Sequence, residues 1–310
     1  MPRIVISENM DAAAVAVLVR DFDVDYRPAL VDDPAGLAAA LAGADAWIVR
    51  NRTQVRGASL AAAVRLRVVG RLGVGLDNID LEACTARGIE VIPATGANAE
   101  SVAEYVLAMA MILLRGAAYR STSAVAAGRW PRQMLSQGRE ISGKTIGLVG
   151  FGSIGRVTAR MAGAIGLRRV GHDPGVAADS PAWKKFGVVP AGLDELLATA
   201  DVVSLHLPLV KETRRLISEE RIARMKPGAI LVNSARGGIV DEAALARALH
   251  AGRLAGAALD VFEDEPLAAG SVLADAPNLI LTPHIAGVTQ ESNERVSGLV
   301  AQRVAACLGR

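Results

Sequence analysis

The sequence predicts an α/β protein of two domains, each built on a mostly parallel sheet. Three observations carry that prediction. The 310 residues exceed one typical domain. Short β-rich runs alternate with alanine-rich helical stretches along the whole chain, the signature of βαβ units. A glycine-rich turn, TIGLVGFGSIGR (Thr145–Arg156), opens a second such alternation near the midpoint, so a folded unit must precede it.

In the first alternation the strands are read as Arg3–Ser7, Val24–Arg27, Ala46–Val49, Arg67–Gly70 and Glu90–Ile92. Between them Asp11–Arg20, Pro34–Leu41, Ser59–Val64 and Leu81–Arg87 read as helices. A long apolar helix near Ala99–Arg120 follows, as a bridge to the second alternation. Its most apolar window, Val102–Leu114, is too short to span a bilayer and reads as buried in a core or between subunits. The second set of strands is Thr145–Val149, Arg169–His172, Val188–Val189, Val202–Leu207, Ala229–Asn233, Ala257–Val261 and Leu279–Leu281. Asp241 is placed to cap a helix over Glu242–Ala251, which Gly252 ends. The last helix, about Glu291–Leu308, repeats Val296, Leu299, Val300, Val304 and Leu308 at helical spacing. With no strand after it, it is expected to pack back on the first unit, making that domain discontinuous.

Composition narrows the function classes. A net charge of +2 and 3% aromatic residues argue against a nucleic-acid or membrane surface. Cys84 and Cys307 stand apart, outside any C-x-x-C pair, so neither a metal site nor a disulfide scaffold is expected. The opening MPRIVISENM lacks the basic and apolar regions of a signal peptide, and a reducing cytoplasm is the expected compartment.

Gly150, Gly152 and Gly155 spell G-x-G-x-x-G between an apolar strand and a helix. In that setting the first glycine permits a tight turn, the second lets backbone approach a pyrophosphate, and the third lets helix and strand close up. The helix N-terminus then offers unpaired N–H groups to phosphate. Asp173 ends the next strand at the distance where a carboxylate accepts from both ribose hydroxyls and repels a 2′-phosphate, favouring NAD over NADP.

Three later stretches each end a predicted strand, where open parallel sheets place ligands: Leu231–Val240, Ala258–Pro266 and Leu281–Gly287. Hydride transfer between a 2-hydroxy acid and nicotinamide needs a cation for the carboxylate and C2 oxygen, and an acid/base for the hydroxyl proton. Arg236 suits the first task because guanidinium forks onto carboxylate and stays charged. His284 suits the second, with a reference pKa near neutrality, and Glu265 is a candidate to orient it and favour its charged form. Taken singly, each has an ordinary structural reading, and spacing alone does not bring the three together.

These stretches, with VVGRLGVGLDNID (Val68–Asp80), GANAESVAE (Gly96–Glu104), GKTIGLVGFGSIG (Gly143–Gly155), HLP (His206–Pro208), NSARGGIVDE (Asn233–Glu242), AALDVFEDEP (Ala257–Pro266) and PHIAG (Pro283–Gly287), closely resemble the D-2-hydroxyacid dehydrogenase family, especially its D-3-phosphoglycerate dehydrogenases. The resemblance runs over essentially the whole chain. It implies a Rossmann NAD-binding domain over 99–285, inserted in a flavodoxin-like substrate-binding domain made of 1–98 and 286–310. It implies that Arg236 binds substrate, Glu265 orients the base and His284 is the general acid/base. It further implies that Asp260 holds the nicotinamide carboxamide beside Ser234 and Ala235, that Ser153 and Ile154 contact pyrophosphate, and that Leu207 and Pro208 lie along the cofactor. A homodimer through the Val102–Leu114 helix is expected on the same ground.

For the acid itself, the loop Leu72, Gly73, Val74, Gly75 can form a backbone nest for a carboxylate, the task the resemblance gives it. Arg50, Arg52 and Arg71 are candidates for a second anion such as phosphate or sulfonate, and Arg50 matches an arginine of phosphoglycerate dehydrogenases. The basic, tryptophan-bearing stretch GRWPR (Gly128–Arg132) has a counterpart there too. Two departures stand out. The chain stops at Arg310 after the returning helix, so a serine-binding regulatory domain is not expected, and Leu207 replaces a threonine frequent in relatives. The leading expectation is an NAD-dependent dehydrogenase of a small 2-hydroxy acid: 3-phosphoglycerate, or sulfolactate, glycerate, glyoxylate or hydroxypyruvate. The alternative class is an NAD(H)-sensing binding protein of the same fold.

Overall fold

A computed structural model describes residues 1–309, the side chains of Ala117 and Tyr119 excepted; Arg310, where the sequence reading ends the first domain, lies outside the described residues. Backbone contacts divide the chain into two units, one of Met1–Asn98 with the segment from Val288 onward, the other Ala99–Gly287. Ala286 and Gly287, given by sequence to the returning segment, fall in the second unit. The N–H of Ala286 is held there by the carboxylate of Asp260.

The first unit contains β1 (Arg3–Ile6), α1 (Ala12–Val19), β2 (Asp23–Tyr26), α2 (Pro34–Leu41), β3 (Ala46–Val49), α3 (Gly57–Ala62), β4 (Val68–Arg71), α4 (Leu81–Ala86) and β5 (Glu90–Pro93). Its five strands run parallel in the order β2-β1-β3-β4-β5. The central strand Ala46–Val49 is wholly buried, as a parallel strand covered on both faces must be. Asp11, Asp33 and Asp80 cap their helices by accepting N–H groups three residues on. The final helix, Gln290–Leu308, covers one face of this sheet. It seats there because Gly70 has no side chain: a Cβ would lie 2.6 Å from Val300 Cγ1 and 2.9 Å from Val304 Cγ2. Each buried valine contributes about 1.5–3 kcal/mol.

The second unit begins with α5 (Ala99–Leu114) and α6 (Thr122–Ala126). Then follow β6 (Thr145–Val149), α7 (Ser153–Ala164), β7 (Arg168–His172), α8 (Pro181–Lys185), β8 (Val189–Pro190), α9 (Leu193–Thr199), β9 (Val202–Leu205), α10 (Glu219–Arg224), β10 (Ile230–Asn233), α11 (Glu242–His250), β11 (Gly256–Leu259) and β12 (Leu279–Leu281). Seven parallel strands lie in the order β12-β11-β10-β9-β6-β7-β8, so the strand order reverses between β6 and β9.

Element ends depart from the sequence reading for local reasons. The apolar helix stops at Leu114, not near Arg120, because Gly116 turns left-handed (φ 61°) into a 3-10 turn over Gly116–Arg120. It buries Val106, Ala110, Leu113 and Leu114 against α7 and the sheet, and leaves Glu104, Ala108 and Met111 outward. Strand β9 ends at Leu205: the His206 N–H still reaches Val149 O at 2.7 Å, but the proline at 208 has no N–H to give. Strand β11 ends at Leu259, freeing Asp260 to turn into the loop that follows.

Candidate active site

The reversal between β6 and β9 is where an open parallel sheet leaves a crevice beyond its strand ends, and the glycine turn sits on it. Gly150 takes φ 100°, and a Cβ there would stand 2.2 Å from His206 O. A Cβ on Gly155 would stand 2.4 Å from Gly150 O, so this glycine allows the helix to close on the turn. Gly152 is different: a Cβ there meets nothing within 4 Å. Among the described residues no contact requires a glycine at that position, whereas a ligand pressed against the backbone would.

The residues around the turn suit a dinucleotide. Helix α7 starts at Ser153 with Gly152 as a cap that has no side chain, leaving the first-turn amides of Ser153 and Ile154 for an anion. One step beyond the paired ends of β9 and β10 come His206 and Ser234. Both hold a buried side-chain atom, Nε2 and Oγ, with no hydrogen-bond partner among the described residues. Buried polar atoms left unpaired are rare, and one against the phosphate-type turn and a second at the end of the next strand but one mark a place for ligand groups. Burial lowers the His206 imidazole to about 4, so it stands there neutral. Asp173 reaches back to the turn: Oδ2 accepts the Phe151 N–H at 2.7 Å and Oδ1 the Gly175 N–H at 2.8 Å. It thus braces the turn as well as offering its remaining lone pairs outward. Leu207 is half-buried and Pro208 exposed just after His206.

Glu265 and His284, 19 residues apart, meet directly. His284 Nδ1 donates to Glu265 Oε2 at 2.9 Å, and the Phe262 N–H fixes Oε1 at 3.1 Å. With Nδ1 carrying the proton, Nε2 is the nitrogen left to exchange one with a substrate. His284 is left-handed at φ 57°, uncommon for a residue with a side chain. Arg236 is placed by its own neighbours. Asn233, buried at the end of β10, donates from Nδ2 to Arg236 O and accepts the Ala235 N–H on Oδ1. Gly237 lies against the segment between Asp260 and Glu265, where a Cβ would be 1.6 Å from Phe262 O. The three sequence candidates therefore belong to two loops and one segment that pack in the same unit. The Arg236 guanidinium donates to Ala235 O at 2.6 Å.

Asp260 has a role the sequence reading lacks. It is buried, and it receives the three consecutive amides of the His284 loop: His284 N–H on its backbone oxygen, Ile285 N–H on Oδ1 and Ala286 N–H on Oδ2, each at 2.8 Å. Thr282 Oγ1 adds a third donor to the carboxylate at 2.6 Å. A carboxylate has about four acceptor positions, so one remains on Oδ2 for an outside N–H such as a carboxamide.

In the first unit the strand order reverses between β1 and β3, and there a cavity of about 480 Å³ opens, lined by Glu8, Asn9, Asp32, Arg50, Asn51 and Arg52 among others. Glu8 is buried and accepts the amides of Arg50, Arg52 and Thr53, which shapes the loop. Arg50 Nη1 donates to Asn293 Oδ1 at 3.0 Å, while Arg52 is bridged to Asp32. Arg71 is not on this cavity; its Nη1 folds over Gly73 and donates to Leu72 O. The nest expected over Leu72–Gly75 is narrower than its sequence suggests. The Leu72 N–H is spent on Val49 O and the Gly73 N–H on Arg71 O, leaving the amides of Val74 and Gly75.

Residues 107–286 match the model of the D-isomer specific 2-hydroxyacid dehydrogenase NAD-binding domain. The chain belongs to the D-isomer-specific 2-hydroxyacid dehydrogenase family. Across 309 residues it is 55% identical to the (S)-sulfolactate dehydrogenase of Chromohalobacter salexigens, covering 100% of this chain and 99% of that one. It is 41% identical to chloroplastic D-3-phosphoglycerate dehydrogenase 2 of Arabidopsis thaliana over 99% of this chain, which spans about half (48%) of that relative. A crystal structure of D-lactate dehydrogenase from Aquifex aeolicus, complexed with NAD and lactic acid, superposes with a TM-score of 0.84 at 32% identity, covering 99% and 95% of the two chains.

The protein is an NAD-dependent dehydrogenase acting on the CH–OH of a 2-hydroxy acid. NAD, when bound, supplies the acceptor for the hydride leaving C2. Gly152 and the α7 N-terminus suit its pyrophosphate, and Asp173 its ribose. The fold matches the family's two-sheet form. Of the residues that complete this arrangement, Asn233, Gly237 and Thr282 carried no chemical signal of their own in the sequence. Among the described residues no cluster of three His, Cys, Asp or Glu could hold a metal, and no helix is long and apolar enough to cross a membrane.

Proposed function

We propose that the protein oxidises (S)-sulfolactate at C2 to the corresponding 2-oxo acid, with NAD as hydride acceptor. The carrying observation is end-to-end identity of 55% with an (S)-sulfolactate dehydrogenase. The stereochemistry agrees with a D-specific family. The sulfonate-bearing carbon outranks the carboxyl carbon, so the S descriptor here names the D arrangement.

In this reading His284 Nε2 takes the hydroxyl proton as hydride leaves, and Glu265 holds the resulting imidazolium. Arg236 forks onto the carboxylate and the developing C2 carbonyl. On the first unit, Arg50 is the group suited to a sulfonate, and the Val74 and Gly75 amides are those suited to a carboxylate. The charge around Arg50 supports a singly charged group there: Arg52 is committed to Asp32, and Glu8 lies beside Arg50. A phosphate, near two charges, would ask for more cation than this cavity holds. Serving NAD are Gly150, Gly152, Ser153, Ile154, Gly155, Asp173, Leu207, Pro208, Ser234, Ala235 and the last acceptor position of Asp260. The same reading makes the protein a cytoplasmic homodimer through the outward side of α5, where Ala108 and Met111 are exposed.

A panel of (S)- and (R)-sulfolactate, 3-phosphoglycerate, glycerate and D-lactate with NAD, followed as NADH formation, tests it. (S)-Sulfolactate should give the highest kcat/KM. Faster oxidation of 3-phosphoglycerate would return the assignment to phosphoglycerate, the second reading, and NADH binding without turnover of any acid would favour a sensor. Light scattering of wild type and Met111→Glu tests the dimer.

A further inference from the structure

Helix α5 sends one polar group toward the loop that carries His284. The Tyr105 hydroxyl oxygen lies 2.7 Å from Thr282 Oγ1, which lies 2.6 Å from Asp260 Oδ1. The direction of this chain is fixed by its far end. Amides of Ile285 and Ala286 already converge on the Asp260 carboxylate, which acts as an acceptor. The single hydroxyl proton of Thr282 therefore goes to Asp260, and Thr282 accepts the proton of Tyr105. Burial pushes the Tyr105 phenol up to about 12, so it keeps that proton through any working pH.

What the chain ends on matters. Asp260 takes the amides of His284, Ile285 and Ala286 in succession and so maintains the left-handed turn at His284. A backbone in that region costs about 1–3 kcal/mol and persists only where surroundings over-determine it. A Thr282 hydroxyl without its donor is free to rotate away from Asp260, and the loop then loses one of its ties. Donors arranged in series also polarise one another and strengthen each bond.

We propose that Tyr105 is a positioning residue for His284, acting through Thr282 and Asp260 to hold the acid/base loop in its reactive geometry. The proposal rests on His284 being the acid/base, and its first test uses no substrate. In the free protein, Tyr105→Phe should raise hydrogen exchange at the Ile285 and Ala286 amides about three- to tenfold, leaving the amides of the β10–β11 ladder unchanged. In turnover of the best acid of the panel, Tyr105→Phe should lower kcat about three- to tenfold, the effect of one lost hydrogen bond, with KM and the NADH Kd within about twofold. Thr282→Val should lose as much, and Tyr105→Phe added to it should lose no more; Thr282→Ser should keep the wild-type rate. Unchanged exchange, losses that add in the double variant, or a loss appearing in KM or NADH affinity would each overturn the relay. A wild-type chain inert toward every acid would sink the substrate assignment, while exchange at Ile285 and Ala286 still decides the relay.

Discussion

Glu265 Oε2 accepts the Nδ1 proton of His284 at 2.9 Å, and both side chains remain partly open to solvent (37% and 45%). One end of the imidazole is thereby committed to the protein and the other to whatever enters. His284→Ala removes the proton acceptor and should lower kcat about 10²–10⁴-fold while NADH binds as in wild type. Glu265→Gln keeps a hydrogen bond but removes the charge that stabilises imidazolium, and should cost less than His284→Ala. Stopped-flow turnover with parallel NADH titration checks both. Equal NADH and kcat losses in His284→Ala would show a collapsed loop instead of a missing base.

Arg236 depends on the glycine that follows it. A Cβ on Gly237 would overlap Phe262 O at 1.6 Å, a backbone atom that cannot swing aside. Gly237→Ala should therefore push the Arg236 loop off the 260–265 segment. The expected result is a loss in kcat/KM of at least about tenfold, with a fall of about 1–3 kcal/mol in unfolding free energy. Denaturant unfolding beside steady-state kinetics separates the two effects. A variant with wild-type kcat/KM would mean the loop finds another path.

Much of this site was legible because its parts are local. Gly150, Gly155 and the Asp241–Gly252 helix follow rules spanning a few residues, and the structure has Asp241 accepting the Ala244 N–H and Gly252 at φ 65°. The Glu265–His284 pair needed the family resemblance, since nothing in spacing joins two loops. The Tyr105–Thr282 contact crosses 177 residues and hides in a helix whose other positions read as core. The nest over Leu72–Gly75 was over-read for the opposite reason. A glycine-rich string looks like a row of free amides, but the end of β3 and Arg71 O had already claimed two of them.

Asp173 braces the glycine turn through the Phe151 amide besides facing outward. Asp173→Ala should weaken NAD by about 1.5–3 kcal/mol, the range for a hydrogen bond to a charged group, and NADP far less. Asp173→Asn can brace the turn but lacks the charge, so it should recover part of the NAD affinity and admit NADP. Calorimetric titration of both cofactors reads the difference. Equal weakening of NAD and NADP by Asp173→Ala would confine this carboxylate to bracing the turn.

His206 ties the cofactor crevice to acid stability. The residue is half-buried, but its Nε2 is shut off from solvent and unpaired, and burial lowers its imidazole from 6.5 to about 4. Between those values the unfolded chain holds the proton and the folded chain does not. The contribution is therefore complete above about pH 6.5 and is lost as pH falls toward 4, by at most about 3 kcal/mol. His206→Gln cannot titrate, so its stability relative to wild type should rise by up to that amount between pH 7 and pH 4. Urea unfolding at half-unit steps measures it. A constant difference between the two proteins across the range would mean that His206 titrates alike in the folded and unfolded chains, and that burial does not hold it neutral below pH 6.5.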